Sequence, residues 1–131
     1  QKLAVGAIVL DAQNRLLLIT RQQGEFMENL VELPSGGVEE GEDLVAAVVR
    51  ELKEETGLDT EVVEHPVDHF DYTSGSGKKA RQFNFVLRTK EGTVQLNSKE
   101  HSSYEWADPT YDTFNKINMS PEVRAAIDKV I

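Results

Sequence analysis

The sequence predicts an α/β domain of the α+β kind, a mixed β-sheet sandwiched between helices, and three observations carry that prediction. Short apolar runs with strand character recur along the chain, helix start signals stand at Asp43 and Ser120, and the two kinds of segment are interspersed without strict strand–helix–strand alternation. With 131 residues, 39% of them hydrophobic, the chain can bury one core and not two, so a single domain over residues 1–131 is expected.

The elements follow in order. LAVGAIVL at 3–10 and RLLLIT at 15–20 read as a strand pair joined by the polar turn DAQN at 11–14. Residues 21–42 are rich in Gly and Glu and contain Pro34, which predicts an irregular segment with one short strand near Leu30 to Leu33. Asp43 suits a helix N-cap, the apolar pattern runs to Thr56, and Gly57 stands where a left-handed C-terminal residue is needed. EVVEHPVDHFDY at 61–72 and ARQFNFVLRT at 80–89 read as two strands around the loop TSGSGKK, and YEWA at 104–107 as one more. DPTYDTF predicts a helical turn after Pro109, and SPEVRAAIDKVI a terminal helix with Pro121 at its first position.

The formal charge of −9, from 23 acids against 14 bases, argues against a phosphate-backbone partner, which needs clustered Lys and Arg to displace counterions. No nucleic-acid partner is expected. The chain has no cysteine, which excludes disulfides and thiolate chemistry and suits a reducing cytoplasm. No apolar run approaches the roughly 18 residues of a membrane span, so no membrane partner is expected either.

The helix over 44–56 poses a problem. At about 100° per residue, with Glu51 at zero, Glu54 falls near 300° and Glu55 near 40°, so three acids share one arc with Ala47 between them. Val45, Val48, Val49 and Leu52 form the neighbouring arc that should pack on the sheet. Arg50 precedes Glu54 by four residues and can hold a carboxylate bidentately. A helix face built only for water would alternate Glu with Lys, whereas these like-charge pairs each cost up to about 0.5 kcal/mol. A hard divalent cation relieves that repulsion, because Mg²⁺ takes oxygen ligands and bridges to substrate phosphates. Gly36, Gly37 and Gly41 just before the helix let the backbone bend tightly toward a ligand.

From Gly36 the chain reads Gly, five residues, Glu42, seven residues, then Arg50-Glu51-Leu52-Lys53-Glu54-Glu55-Thr56-Gly57-Leu58. This matches the box GX5EX7REUXEEXGU, U being aliphatic, at every position over residues 36–58, and the chain is thereby similar to the Nudix hydrolases. The flanks, LAVGAIVL, RLLLITR, ELPSGG and EW before a terminal helix, resemble the small MutT-type members. The resemblance implies the Nudix fold and hydrolysis of a nucleoside diphosphate linked to a moiety X, with Mg²⁺ or Mn²⁺ as cofactor. It makes Glu51, Glu54 and Glu55 metal-binding and catalytic residues, with a backbone carbonyl near Ser35 or Gly36 as a further metal ligand. Arg50 orients the acids, and Glu42 holds loop and helix together. The general base is Glu51 first, with Glu100 as the other candidate, placed where related members carry an additional metal-binding or catalytic Glu.

Substrate contacts lie outside the box. Phe26, Phe70 and Tyr72 are candidates for stacking on a base, and Arg21, Lys78, Lys79 and Arg81 for holding phosphate; Arg21, Phe26, Tyr72 and Arg81 form the expected substrate set. Gln22 after TR and Leu33 before the proline depart from the members that destroy oxidised guanine nucleotides. Ser74 falls in the region where the ADP-ribose and nucleotide-sugar members carry a proline beyond the box. The expected reaction is cleavage of a small-molecule nucleotide, a ribo- or deoxyribonucleoside triphosphate, to monophosphate and pyrophosphate. Alternatives are an ADP-ribose or NDP-sugar substrate, or a nucleotide-binding module without catalysis. An RNA 5′-end substrate is disfavoured by the acid excess, and the assembly is a monomer or homodimer.

Overall fold

The computed structural model describes residues 2–21, 30–62, 68–73, 76–90, 93–96, 101–108, 110, 117 and 119–130. Among these, eight strands and two helices follow in the order β1 (Lys2–Leu10), β2 (Leu16–Arg21), β3 (Val31–Glu32), β4 (Ser35–Gly37), α1 (Leu44–Thr56), β5 (Glu61–Val62), β6 (Asp68–Thr73), β7 (Lys79–Arg88), β8 (His101–Ala107) and α2 (Pro121–Asp128). All strands join one mixed sheet in the order β3-β2-β1-β7-β5, with β4 on β1, β6 on β7 and β8 on β2.

Strand β1 organises the sheet. Because side chains alternate across a strand, Val5, Ala7 and Val9 enter a core with Leu17, Ile19, Phe85, Leu87 and the α1 residues Ala47, Val48 and Leu52. Ile8 and Leu10 enter a second core on the opposite face, with Leu16, Leu18, Val86 and the α2 residues Val123, Ala126 and Ile127. The sheet is therefore sandwiched between helices, as expected for this fold class. No helix among the described residues is long and apolar enough to cross a membrane.

Several boundaries differ from the sequence expectation. The turn after β1 forms, with Asp11 Oδ1 accepting from Gln13 N at 2.9 Å and Arg15 N at 2.8 Å, yet β1 and β2 share only the register pair Leu10–Leu16. The long partner of β1 is β7, parallel from Lys2–Ala80 to Leu10–Arg88, and that of β2 is β8. The strand expected near Leu30 to Leu33 is β3, on β2, and a second strand not expected in that segment, β4 on β1, follows Pro34, which has no N–H to continue a ladder. The run at 61–72 likewise yields β5 and β6, which pair with opposite ends of β7. β8 starts at His101, ahead of the expected Tyr104. The helical turn expected after Pro109 and part of the TSGSGKK loop lie outside the described residues.

Candidate active site

Helix α1 is set by its ends. Asp43 accepts from Val45 N at 3.0 Å as N-cap, and Gly57 (φ 74°) closes the last turn by donating to Lys53 O at 2.8 Å, a left-handed conformation that costs glycine nothing. Its buried face corrects the sequence reading. Val45 is 44% exposed and Val49 only half-buried, whereas Ala47, Val48, Leu52, Glu55 and Thr56 are buried. The arc that meets the sheet is thus rotated toward the acids, with Glu55 at 4% exposure inside it and Glu54 at its solvent rim. A side-chain-poor partner permits this. Strand β4 turns Gly36 toward the helix, paired with Val5 of the α1 core, and a Cβ on Gly36 would collide with the Glu51 carboxylate.

Arg50 binds this arc to the preceding loop. Its Nε and Nη2 donate to the two oxygens of Glu42, each at 2.8 Å, and Nη2 also donates to the Gly37 carbonyl at 3.0 Å. Its Nη1 donates to Glu51 Oε1 at 3.0 Å and to both Glu54 oxygens at 3.3 Å. Glu42 in turn accepts from Glu39 N at 3.0 Å. The Arg50 contacts hold the Glu42 carboxyl well below its ordinary range, at about 2, with the Glu39 amide adding to the effect. The guanidinium itself is pushed further up by Glu42, then Glu51 and Glu54. Glu51 shifts the other way: burial raises it, the charges of Glu54 and Glu55 add to the rise, and the Arg50 hydrogen bond only partly opposes them.

The donor set fits a hard divalent cation by its chemistry. Glu51, Glu54, Glu55 and the Gly36 carbonyl offer oxygen alone, and Glu51 and Glu54 already share one cationic partner in Arg50 Nη1. Among the described residues, no three Asp, Glu, His or Cys side chains are gathered tightly enough to grip an ion by themselves.

The remaining expected residues are dispersed. Glu100 and Phe26 lie outside the described residues, and of Arg21 only its place in β2, opposite His101 at a register shift, is described. Tyr72 is exposed on β6, its ring 5.9 Å from that of Phe70. Arg81 is committed to Asp71, with Nε to Oδ1 at 2.7 Å and Nη2 to Oδ2 at 3.2 Å. The Gly37 carbonyl, which sequence reasoning did not single out, helps fix Arg50; no side-chain pattern announces a backbone acceptor.

The geometry agrees with comparisons to known proteins. The model of the NUDIX domain matches residues 1–123. An RNA pyrophosphohydrolase from Campylobacter jejuni is 33% identical over 117 residues, covering 78% of this chain and 74% of its own length. Nudix hydrolase 2 of Arabidopsis thaliana is 31% identical over 100 residues, 76% of this chain but 35% of that protein, so the chain spans about a third of that relative. In structure, the MutT protein from Methanosarcina mazei Go1 superposes with a TM-score of 0.84 at 22% identity, covering 98% of this chain and 91% of the other. With the whole box in place on α1 and its loop, and a domain match from the first residue to the second helix, the chain belongs to the NUDIX domain family.

Proposed function

We propose that this domain hydrolyses nucleoside triphosphates to monophosphate and pyrophosphate in a reaction that requires a divalent cation. One observation carries the reading: Arg50 ties the Gly37–Glu42 loop to Glu51 and Glu54, an ion-pair network at the edge of the sheet that core packing does not require. Glu51, Glu54, Glu55 and the Gly36 carbonyl would hold Mg²⁺ or Mn²⁺, which when bound neutralises the phosphates. Arg50 fixes the Glu51 rotamer against Gly36 and keeps Glu54 within reach of the same point. Glu51 serves as general base, its carboxylate accepting a proton from the attacking water.

The test is a panel of nucleoside triphosphates, ADP-ribose and nucleotide sugars assayed with Mg²⁺ for phosphate and pyrophosphate release. Pyrophosphate from triphosphates, abolished by Glu54→Gln, is expected; cleavage of ADP-ribose or sugar nucleotides alone would replace the substrate class, and binding without turnover would replace the activity. A second reading, removal of pyrophosphate from a triphosphorylated RNA 5′ end, is favoured by the name of the C. jejuni relative. The charge of −9 weighs against it, and including such an RNA in the panel decides between them.

A further inference from the structure

On the sheet face away from α1, strand register sets Gly37, Ala4, Gln82 and Phe70 side by side, and in the next row Ser35, Gly6, Asn84 and Asp68. Residues paired directly across neighbouring strands project to the same face, so the Gln82 and Asn84 amides lie over a floor of Gly37, Ala4 and Gly6. Gly6 is required in that place, because a Cβ on it would collide with both amides. The α2 residues Val123, Ala126 and Ile127 cover the neighbouring part of this face, over Ile8, Leu10 and Val86.

The two amides are not arranged for packing alone. Gln82 Nε2 donates to Asn84 Oδ1 at 2.8 Å, and among the described residues Asn84 Nδ2 has no hydrogen-bond partner although Asn84 is 0% exposed. Asp68, facing Asn84 across the strands, accepts instead from Lys129 Nζ at 2.7 Å. An orphaned buried donor is rare in native cores and calls for an acceptor. Phe70 and Tyr72 stand on the same face, in the rows of Gln82 and Ala80. A donor beside aromatic rings, over side-chain-poor strands, suits a flat heterocycle whose edge carries a carbonyl or ring-nitrogen acceptor.

We infer that the Gln82–Asn84 amide pair seated on Gly6 is the specificity-determining contact for the nucleotide base, with Asn84 Nδ2 donating to an acceptor on the base edge. The inference rests on the nucleotide-hydrolase reading and deepens it. Gly6 connects the two sites, since it pairs with Asn84 on one side and with Ser35 on the other, next to the Gly36 that Glu51 lies against. The amides and α1 occupy opposite faces, but β7 and β4 are only two strand spacings apart, about 10 Å. A nucleotide held by its base on the amides passes its phosphates around the three-residue edge strand β4 to reach α1.

The test uses the wild-type chain and the double variant Gln82→Leu/Asn84→Leu. In Mg²⁺-free buffer, AMP, GMP, CMP and UMP are titrated into ¹⁵N-labelled wild type while the Asn84 side-chain amide resonances are followed. A selective shift with one base is expected. The double variant should melt no lower than wild type, bind that monophosphate about tenfold or more weakly, and show a correspondingly narrower spread of kcat/KM among the four triphosphates. An Asn84 amide that no monophosphate moves would overturn the inference, and so would an unchanged spread in a folded double variant. Should the variant not fold, the wild-type titration decides alone. Monophosphate binding with a shifted Asn84 amide, but no cleavage of any nucleotide, would instead sink the hydrolase reading and leave the base site standing.

Discussion

Helices α1 and α2 are built by the same rule and hide different things. Each opens on a side-chain cap, Asp43 on Val45 N and Ser120 on Val123 N, and each lays a narrow apolar stripe on one face of the sheet. Among its described residues α2 buries only the apolar Val123, Ala126 and Ile127, and its Arg124 pairs within the helix with Asp128 at 3.3 Å. Beneath α1 lies a glutamate as well, and its arginine binds two acids of the helix, an acid of the loop and a backbone carbonyl. Packing accounts for the buried stripe of α2; it leaves unexplained why α1 crowds Glu51 and Glu54 around one guanidinium. That remainder is where the proposed hydrolysis is placed.

The contrast can be broken most sharply at Glu54. Its side chain is 59% exposed, so Glu54→Gln should leave the melting temperature unchanged while lowering kcat by about 10² to 10³-fold or more, comparable to losing a key electrostatic group. A variant with normal turnover would reduce α1 to the same structural part as α2. The opposite signature is expected at Ile127, fully buried under α2. Ile127→Ala should cost about 2–5 kcal/mol in denaturant unfolding, with kcat of the folded fraction retained.

The caps sharpen the likeness rather than the difference. Asp43→Ala and Ser120→Ala should each cost about 1 kcal/mol, because each cap accepts one backbone N–H, at 3.0 and 3.2 Å. Much unequal losses would show that one helix leans on its cap more than the other.

The finest distinction is a slope in pH. Glu42 falls from an ordinary 4.5 to about 2 in the folded protein, chiefly through Arg50. A depressed carboxyl gives stability that is fully present above its unfolded value and disappears as pH falls through the folded one. The wild type should therefore lose melting temperature between about pH 4.5 and 2 more steeply than Glu42→Gln. Parallel curves would mean that the loop–helix tie contributes nothing to folding. Asp11 and Asp71 also sit low, Asp11 because hydrogen bonds from Arg15 and Gln13 outweigh its burial and Asp71 through Arg81, so part of the slope survives in the variant.

What could be read from the chain, and what could not, follows from the range of each interaction. Asp43, Gly57, Ser120 and Pro121 act within a turn of themselves, and both helices lie where those residues put them. The spacing of Arg50, Glu51 and Glu54 is likewise local, and their contacts follow from it. Strand partners are not local. Nothing in LAVGAIVL tells that its long neighbour is ARQFNFVLRT rather than RLLLIT, and only the pairing of Gly6 with Asn84 reveals why position 6 lacks a side chain. The burial of Glu55 was hidden for the same reason: it depends on how α1 is seated on the sheet. Arg81 was open to a phosphate-holding role until the β6–β7 register brought Asp71 opposite it.

The parallel pairing of β1 with β7 also sets an order of events. Lys2 meets Ala80 and Leu10 meets Arg88, so β1 must wait until the chain has been made as far as β7 before its principal neighbour exists. Closing so long a loop has to precede any reward from the contacts it creates, which makes such topologies slow to form. β4 hangs on the other edge of β1, so the glycine strand beside α1 can pair before β7 arrives. During that interval the apolar strand β1 keeps the edge that β7 will cover open, and a nascent chain of this kind is then most in need of protection from its neighbours.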